Sequence, residues 1–387
     1  MFTTILAYGF LFLGVIFILR YNDVDFTLYS KKITSVGFLY VIIYTLIVGL
    51  RYDVGVDYLS YKKIFEQFAL VSPATPTDIQ YIEPAFVLLY KILTILGLPF
   101  YSFFVVVAFT NIFFLWLFTR QYKILTLWIF FFYICSMTLF ETFNIMRQMT
   151  AFFMFLCSLK YIASRSFYKY LLAICFISLF HVSILLMLPF YFIVNKELLI
   201  NTRFASIIVI CFFLFKTQIS MFIWDVFFPF LSKLLIGVDA SYYLLKTGDL
   251  FFDSGSNSLG IMHLIILFFA LLIVNSMPKM RIFYREYSFN IDIFFNFFFF
   301  GVCIYFISDG SISLVRLNTY FFNFLFIMLA FLMYFLSKTK SKFKIGKVNC
   351  NLIYCILLLL FSTGIYVNSI VKGTKNSPYH LVYEQSY

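Results

Sequence analysis

Long apolar runs, separated by short polar segments, recur along almost the whole chain. A helix needs about 20 apolar residues to cross roughly 30 Å of hydrocarbon. The runs are continuous rather than alternating, which favours helices over barrel strands. We therefore predict an all-α, polytopic membrane bundle of roughly 11–13 membrane segments with re-entrant or broken helices. Strong segments are predicted at 2–19, 33–50, 100–119, 123–140, 145–162, 204–221, 259–277, 289–308, 314–336 and 349–369.

Basic residues give the bundle an orientation. The loop 337–348 carries five lysines and no acid, so the positive-inside rule places it in the cytoplasm. Lys279, Arg281 and Arg285 predict a second inner loop. Counting crossings from these loops places 51–82, 222–258, the 308–315 turn and the C-terminal tail outside, where many of the acids also cluster.

Two apolar regions do not have the length of a single crossing. Residues 84–97 are too short, and an outer segment at 51–82 with an inner turn at 120 allows only one full crossing between them. We therefore predict a re-entrant or interfacial helix that begins at Pro84, of the kind tolerated where a cavity is lined. Residues 168–194 are too long and predict a hairpin broken near His181. The whole chain, 1–387, is predicted to form a single transmembrane domain.

Composition agrees with this class of protein. The chain is 63% hydrophobic and 12% charged, whereas soluble domains have about a quarter charged residues. Its net charge of +12 is explained by the inner loops, and we expect no nucleic-acid partner. The seven cysteines show no CxxC or metal-binding spacing, so neither a metal nor another cofactor is expected. The first apolar stretch lacks a preceding basic residue and is predicted to remain as a span.

Candidate chemistry begins directly after the second predicted span. If the chain after Gly55 is helical, Asp57 and Tyr61 share one face, so a carboxylate and a phenol can enter one polar pocket. The alternative is an interfacial anchor, because arginine and tyrosine at span ends commonly contact lipid headgroups.

A second polar face opens the span at 145–162. Asn144, Arg147 and Gln148 follow at i, i+3 and i+4. An arginine there needs an anion or water, and its planar fork suits the oxygens of a lipid-linked phosphate. The alternative is that these residues bind neighbouring helices together.

Two further residues are candidates on weaker grounds. His181 could transfer a proton near neutral pH, although a lone histidine is more often structural. Arg316, with Tyr320 and Asn323 on the same helical face, predicts an outer anion site, or else one arginine that reaches the membrane boundary. Walker, Rossmann, HExxH and nucleophile-elbow motifs are absent from the sequence, which favours a lipid-borne substrate over a soluble nucleotide.

These motifs, in this order, resemble those of EpsG-family, Wzy-type polysaccharide polymerases. They are Arg51-Tyr-x-Val-Gly-x-Asp-Tyr-x-x-Tyr, Glu83-Pro-x-Phe, Asn144-Ile-Met-Arg147-Gln148-x-x-Ala151, Phe180-His181-x-Ser183, Arg316-x-x-x-Tyr320 and Pro378-Tyr379. The resemblance covers most of the chain. The loop 222–258 carries no recognisable motif and is expected to encode substrate individuality.

The resemblance implies a GT-C-like, multi-pass glycosyltransferase of the bacterial cytoplasmic membrane with its active site facing the exterior. It would transfer a growing O-antigen, capsule or exopolysaccharide chain from undecaprenyl diphosphate to a hydroxyl of a new lipid-linked unit. Its partners would be the lipid-linked donor and acceptor, membrane lipids, a flippase and a chain-length regulator. The implied diphosphate-binding residues are Arg51, Arg147 and Arg316; the candidate bases are, in order, Asp57, Glu83 and His181; the supporting residues are Asp53, Tyr58, Tyr61, Asn144, Gln148, Ser183, Tyr320 and Tyr379.

Three other activities stay open at this point. A flippase for lipid-linked oligosaccharide would also need many spans and intramembrane arginines, but it should show paired repeats, and none is evident. A membrane O-acyltransferase should offer a histidine with a nearby acid or asparagine. A ligase shares the chemistry of the polymerase and differs only in its acceptor.

Overall fold

A computed structural model describes residues 2–22, 30–69, 82–195, 197, 202–214, 261–307, 312–340, 344–345, 348–371 and 380–381. This part of the chain is almost entirely helical, which confirms the all-α prediction. It divides into two compact units, Met1–Tyr191 with Leu336–Tyr387, and Phe192–Phe335. The outer loop predicted at 222–258 lies outside the described residues. The predicted single domain over 1–387 and the orientation of the loops stay predictions.

The first unit is a bundle in which α2 packs along α5, α5 packs on α8, and α8 packs on α9. Its apolar helices are joined by short polar turns, as the sequence pattern predicts. The elements are α1 Phe2–Asn22, α2 Ser30–Gly49, β1 Arg51–Tyr52, α3 Tyr58–Ala69, α4 Pro84–Ile95, α5 Tyr101–Thr119, a 3₁₀ turn Lys123–Leu125, α6 Thr126–Cys135, α7 Met137–Asn144, α8 Met146–Ala163, α9 Phe167–Ser178, a 3₁₀ turn Val182–Met187 and α10 Phe190–Ile193.

The second unit packs α11 against α12 and α13, and α13 against α14. Its helices are α11 Thr202–Leu214, α12 Ile261–Arg285, α13 Ile291–Ile307, α14 Ile312–Phe322 and α15 Phe324–Lys338. The last elements of the chain are β2 Lys344–Ile345, β3 Val348–Asn349, α16 Cys350–Val371 and β4 His380–Leu381. Strand β4 pairs antiparallel with β1, with Tyr52 opposite His380, and so joins the C-terminal tail to the segment after α2.

Among the residues that the structure describes, four helices are long and apolar enough to cross a membrane, or five if the bent pair Lys123–Cys135 and Met137–Asn144 is one span. Shorter apolar helices of 10–17 residues accompany them within the described ranges. The chain is therefore a multi-pass membrane protein, and the total of 11–13 segments stays a prediction. Helix α4 has 12 residues, about 18 Å at 1.5 Å per residue, which is too short for a straight crossing.

The sequence-based boundaries hold for most helices, and the predicted inner loop at Lys279, Arg281 and Arg285 is wrong. The predicted break near His181 is confirmed, because α9 ends at Ser178 and His181 has extended backbone. Lys279, Arg281 and Arg285 do not lie in a loop, since α12 continues through Pro278 to Arg285. Arg281 can remain helical there because its guanidinium forms an ion pair with Asp292 at the start of α13.

Helices α13 and α14 approach each other closely at Gly301. A Cβ atom on Gly301 would lie 2.5 Å from backbone atoms of Phe321 and Phe322. The Asn318 amide donates a hydrogen bond of 3.0 Å to the Gly301 carbonyl across the same crossing. Small residues and interhelical amide bonds are common means of packing helices within a membrane.

We expect Gly301→Ala to destabilise the purified protein by about 1–3 kcal/mol, because backbone atoms must move to admit the methyl group. Gly364→Ala is the matched control, since Gly364 also lies in a long helix but has open space around its Cβ position. Thermal unfolding in detergent measures both variants. A Gly301→Ala protein as stable as the control contradicts the close crossing.

Candidate functional site

Three side chains far apart in sequence form one polar cluster in the first unit. Arg147 Nη1 donates a hydrogen bond to Glu83 Oε2, and Glu83 Oε1 is hydrogen-bonded to His181 Nδ1. Glu83 thus bridges residues that are 64 and 98 positions away along the chain. We call Glu83, Arg147 and His181 the acid–base cluster.

Local structure explains why the cluster forms. Glu83 directly precedes Pro84, which begins α4, and Arg147 lies in the first turn of α8. The Ala85 amide donates to the Leu179 carbonyl at 3.1 Å, which ties the start of α4 to the end of α9. The sharp end of α9 then places His181 in extended backbone beside Glu83.

The cluster is mostly enclosed. The exposed fractions of the side chains are 9% for Glu83, 25% for Arg147 and 19% for His181. Burial raises the pKa of Glu83, but the hydrogen bond from His181 and the positive charge of Arg147 outweigh burial and hold that pKa below its ordinary value. Glu83 is therefore ionised at neutral pH, and part of the Arg147 side chain stays exposed.

The lowered pKa of Glu83 predicts a pH-dependent stability. A carboxylate whose folded pKa lies below its unfolded value of about 4.3 stabilises the fold above that value, and the contribution is lost as pH falls through the folded pKa. We expect Glu83→Gln to cost about 1–3 kcal/mol near pH 7, as charge-assisted hydrogen bonds do. The difference from wild type should shrink below about pH 4. Unfolding of both proteins in detergent at a series of pH values measures this difference in stability. A difference that does not change with pH contradicts the lowered pKa of Glu83.

An aromatic cluster lies against the polar one. Phe86 and Tyr90 of α4, Tyr61 of α3 and Phe103 of α5 are buried together, and the rings of Tyr90 and Phe103 stack at 4.5 Å. Tyr61 interacts electrostatically with Arg147, so the phenol predicted as a supporting group lies near the acid–base cluster.

Arg51 is held in a different way. Its side chain is 1% exposed, and it donates to the carbonyls of Val48 and Val54 at 2.6 and 3.1 Å. Its guanidinium lies over the rings of Phe143 and Phe104 at 4.8 and 5.2 Å. These contacts fix the position of the chain after α2. Binding of diphosphate by Arg51 stays a prediction.

The loop after Arg51 is hydrogen-bonded to the turn between α7 and α8. Asn144 Oδ1 accepts a hydrogen bond of 2.6 Å from the Val56 amide, so this predicted supporting residue positions backbone. Gly55 has φ +108°, and a Cβ there would lie 2.6 Å from the Phe143 carbonyl oxygen. Because the same turn leads into Arg147, the loop and the acid–base cluster are positioned together.

The other predicted residues occupy varied positions. Asp57 is half-buried just before α3, and within the part of the chain that the structure describes its side chain makes no hydrogen bond or ion pair. Asp53 is exposed with φ 48°, and Tyr58 is buried against Phe104 with its ring stacked at 4.2 Å. Gln148 is buried one residue after Arg147, and Ser183 is half-buried two residues after His181.

Arg316 and Tyr320 belong to the second unit. Arg316 is exposed near the start of α14, and Tyr320 is fully buried one turn later. The prediction that Arg316 shares a cavity with Arg51 and Arg147 stays a prediction. Tyr379 lies outside the described residues.

Sequence reasoning missed Tyr90, whose ring lies at the floor of the site. Its buried hydroxyl has no hydrogen-bond partner among the described residues, and it interacts electrostatically with Tyr61, Arg147 and Glu83. The available signal was spacing, since Glu83 and Tyr90 are seven apart and share one face of α4. Across the described residues, no group of three or more histidine, cysteine or acidic side chains could hold a metal ion.

Comparison with known proteins gives one match. The family model described as EpsG family matches residues 34–381, which include the loop after α2, the acid–base cluster and α14. No curated protein and no solved structure matches the chain.

Proposed function

The chain belongs to the EpsG family, a Wzy-type polysaccharide polymerase-like family, and from this we propose that it polymerises lipid-linked oligosaccharide repeat units. Family membership by itself indicates a membrane glycosyltransferase of polysaccharide biosynthesis. The finer proposal concerns the donor: the growing glycan is carried by undecaprenyl diphosphate and moves to a hydroxyl of a new lipid-linked unit. The diphosphate lipid leaves.

The acid–base cluster is the observation that carries this proposal. A diphosphate leaving group gains negative charge as its bond to the sugar breaks, and a preorganised guanidinium can stabilise that charge without a metal. Arg147 is fixed on one side by Glu83 and retains 25% of its side-chain surface. The ion pair with Glu83 holds the Arg147 side chain in one orientation, which supports its role as a preorganised anion-binding group.

The ends of the helices support an outer-facing site. Helices α5, α8 and α9 each have one end at the site, and their other ends lead into basic turns that contain Arg120 with Lys123, or Arg165 with Lys169. By the positive-inside rule these turns lie in the cytoplasm. The acid–base cluster, at the opposite ends of the same helices, then faces the exterior, where lipid-linked units are delivered.

We further propose the cellular setting that this reaction requires. The enzyme acts in the bacterial cytoplasmic membrane on units supplied by a flippase, and a chain-length regulator sets when its product leaves. The product is an O-antigen, a capsule or an exopolysaccharide. The reaction needs no sugar nucleotide, because cleavage of the activated bond between the anomeric carbon and the lipid diphosphate drives the transfer.

Deletion of the encoding gene tests this proposal. A strain without the polymerase should still carry single repeat units on its outward-facing lipid, and a gel of its surface glycan should show one unit instead of a ladder. Expression of the wild-type chain should restore the ladder. Complete loss of outward-delivered units would support a flippase, and full-length glycan that stays on undecaprenyl diphosphate would support a ligase; either result contradicts the proposal. Loss only of acyl groups, with a normal ladder, would support an O-acyltransferase.

A further inference from the structure

We propose that His181 is the general base of this reaction and that Glu83 is the positioning residue that makes it one; the inference rests on the proposed polymerase function. His181 Nδ1 is hydrogen-bonded to Glu83 Oε1. A carboxylate can only accept, so Nδ1 carries the proton and Nε2 of the neutral ring keeps its lone pair. In the described part of the chain the ring makes no other hydrogen bond.

Glu83 is a poor base in this arrangement. Both of its carboxylate oxygens are occupied, one by Arg147 and the other by His181. Its side chain is 9% exposed. A carboxylate stabilised by two hydrogen-bond donors has little tendency to accept a proton, so its role is to orient the imidazole and to balance the charge that the ring gains.

Asp57, placed first among the candidate bases by the sequence, lacks this support. Among the described residues its side chain has no hydrogen-bond partner that would fix its position. Asp57 interacts electrostatically with Tyr61. A catalytic base must be held within hydrogen-bond reach of the proton it removes, and His181 is the candidate that is both held and left with an accepting atom.

In the proposed step, one bond to the anomeric carbon of the donor forms while another breaks. The acceptor hydroxyl gives its proton to His181 Nε2 while its oxygen forms a bond to the anomeric carbon of the donor. The bond from that carbon to the diphosphate oxygen breaks, and the electron pair leaves with the lipid diphosphate. The proton then passes from the imidazolium to the departing diphosphate or to water, which restores the neutral ring.

The test measures the kcat and KM of purified, full-length enzyme on undecaprenyl-diphosphate-linked units isolated from the deletion strain. We expect His181→Ala and His181→Gln to lower kcat by about 100-fold or more while KM stays close to the wild-type value, as general-base catalysis contributes that much. Added imidazole should restore part of the activity of His181→Ala. His263→Gln, a change to a histidine whose ring packs against Tyr305 at 5.6 Å, is the control and should keep wild-type kcat.

Glu83 is tested by its conservative variant. Glu83→Gln should lower kcat with little change in KM, and Glu83→Asp, which keeps the carboxylate, should recover part of the loss.

A folded His181→Gln enzyme with wild-type kcat overturns the inference, and so does a His181→Ala enzyme that imidazole does not rescue. If the wild-type enzyme itself makes no polymer from these units, the proposed function fails instead.

Discussion

Replacing Arg147 with lysine is expected to slow polymerisation by about a hundredfold or more, because removing one preorganised donor to a developing oxyanion costs about 2.7–4 kcal/mol. Lysine keeps the positive charge and can still form an ion pair with Glu83. It loses the planar fork, so it cannot bind Glu83 and two phosphate oxygens in a fixed geometry at once. The substitution therefore separates recognition of the diphosphate from structural support of the cluster.

The measurement is the initial rate of chain extension on purified lipid-linked units, at equal amounts of folded protein. Arg120→Lys is the matched control, since Arg120 is exposed at the opposite end of α5 and contacts Trp116. It should extend glycan at the wild-type rate. If a normally folded Arg147→Lys enzyme is as fast as this control, Arg147 serves the packing of α4 and α8 and does not bind diphosphate as a fork.

Arg147→Ala adds a structural comparison. It leaves the buried carboxylate of Glu83 without its cation, and breaking a mostly buried ion pair by removing one partner destabilises a protein strongly. We therefore expect Arg147→Ala to lower both the folded yield and the rate, whereas Arg147→Lys lowers mainly the rate. The contrast between the two variants distinguishes the charge of the residue from its shape.

The sequence predicts the helices of this protein well because membrane helices are defined by length and apolar composition, both of which are local. It also places Arg147 and His181 at polar ends of apolar segments. It does not show that Glu83 joins them, because that contact depends on how α4 begins and where α9 ends. The bond from Ala85 to Leu179 that fixes this geometry is between backbone atoms, and backbone contacts leave no pattern in side-chain types.

Arg51 shows what residue types in the sequence leave open. An arginine after a span, followed by glycine and acids, has the residue types of an anion site. In the folded chain its donors bind the carbonyls of Val48 and Val54 and its flat face lies on aromatic rings. Composition gives the same signal for an arginine that binds a ligand and for one that fixes a loop, since both need a planar cation with several donors.

Gly55 connects that loop to catalysis, and Gly55→Ala is expected to reduce the polymerisation rate by about a hundredfold. Its Cβ would lie 2.6 Å from the Phe143 carbonyl oxygen and 3.1 Å from the carbonyl carbon, so the loop or the turn before Arg147 must move. Misplacing catalytic groups by about 1 Å can cost a factor of this size. The φ of +108° adds strain, because side chains rarely adopt that conformation.

Gly97→Ala is the matched control for Gly55→Ala. Gly97 also has positive φ, at +64°, but nothing lies within 4 Å of its Cβ position. Both variants therefore carry backbone strain, and only Gly55→Ala forces a collision with the turn that holds Asn144 and Arg147. Rates on purified lipid-linked units, together with thermal unfolding, compare them. Equal activity in the two variants contradicts the close contact, whereas loss confined to Gly55→Ala shows that the loop after α2 sets the position of the catalytic cluster.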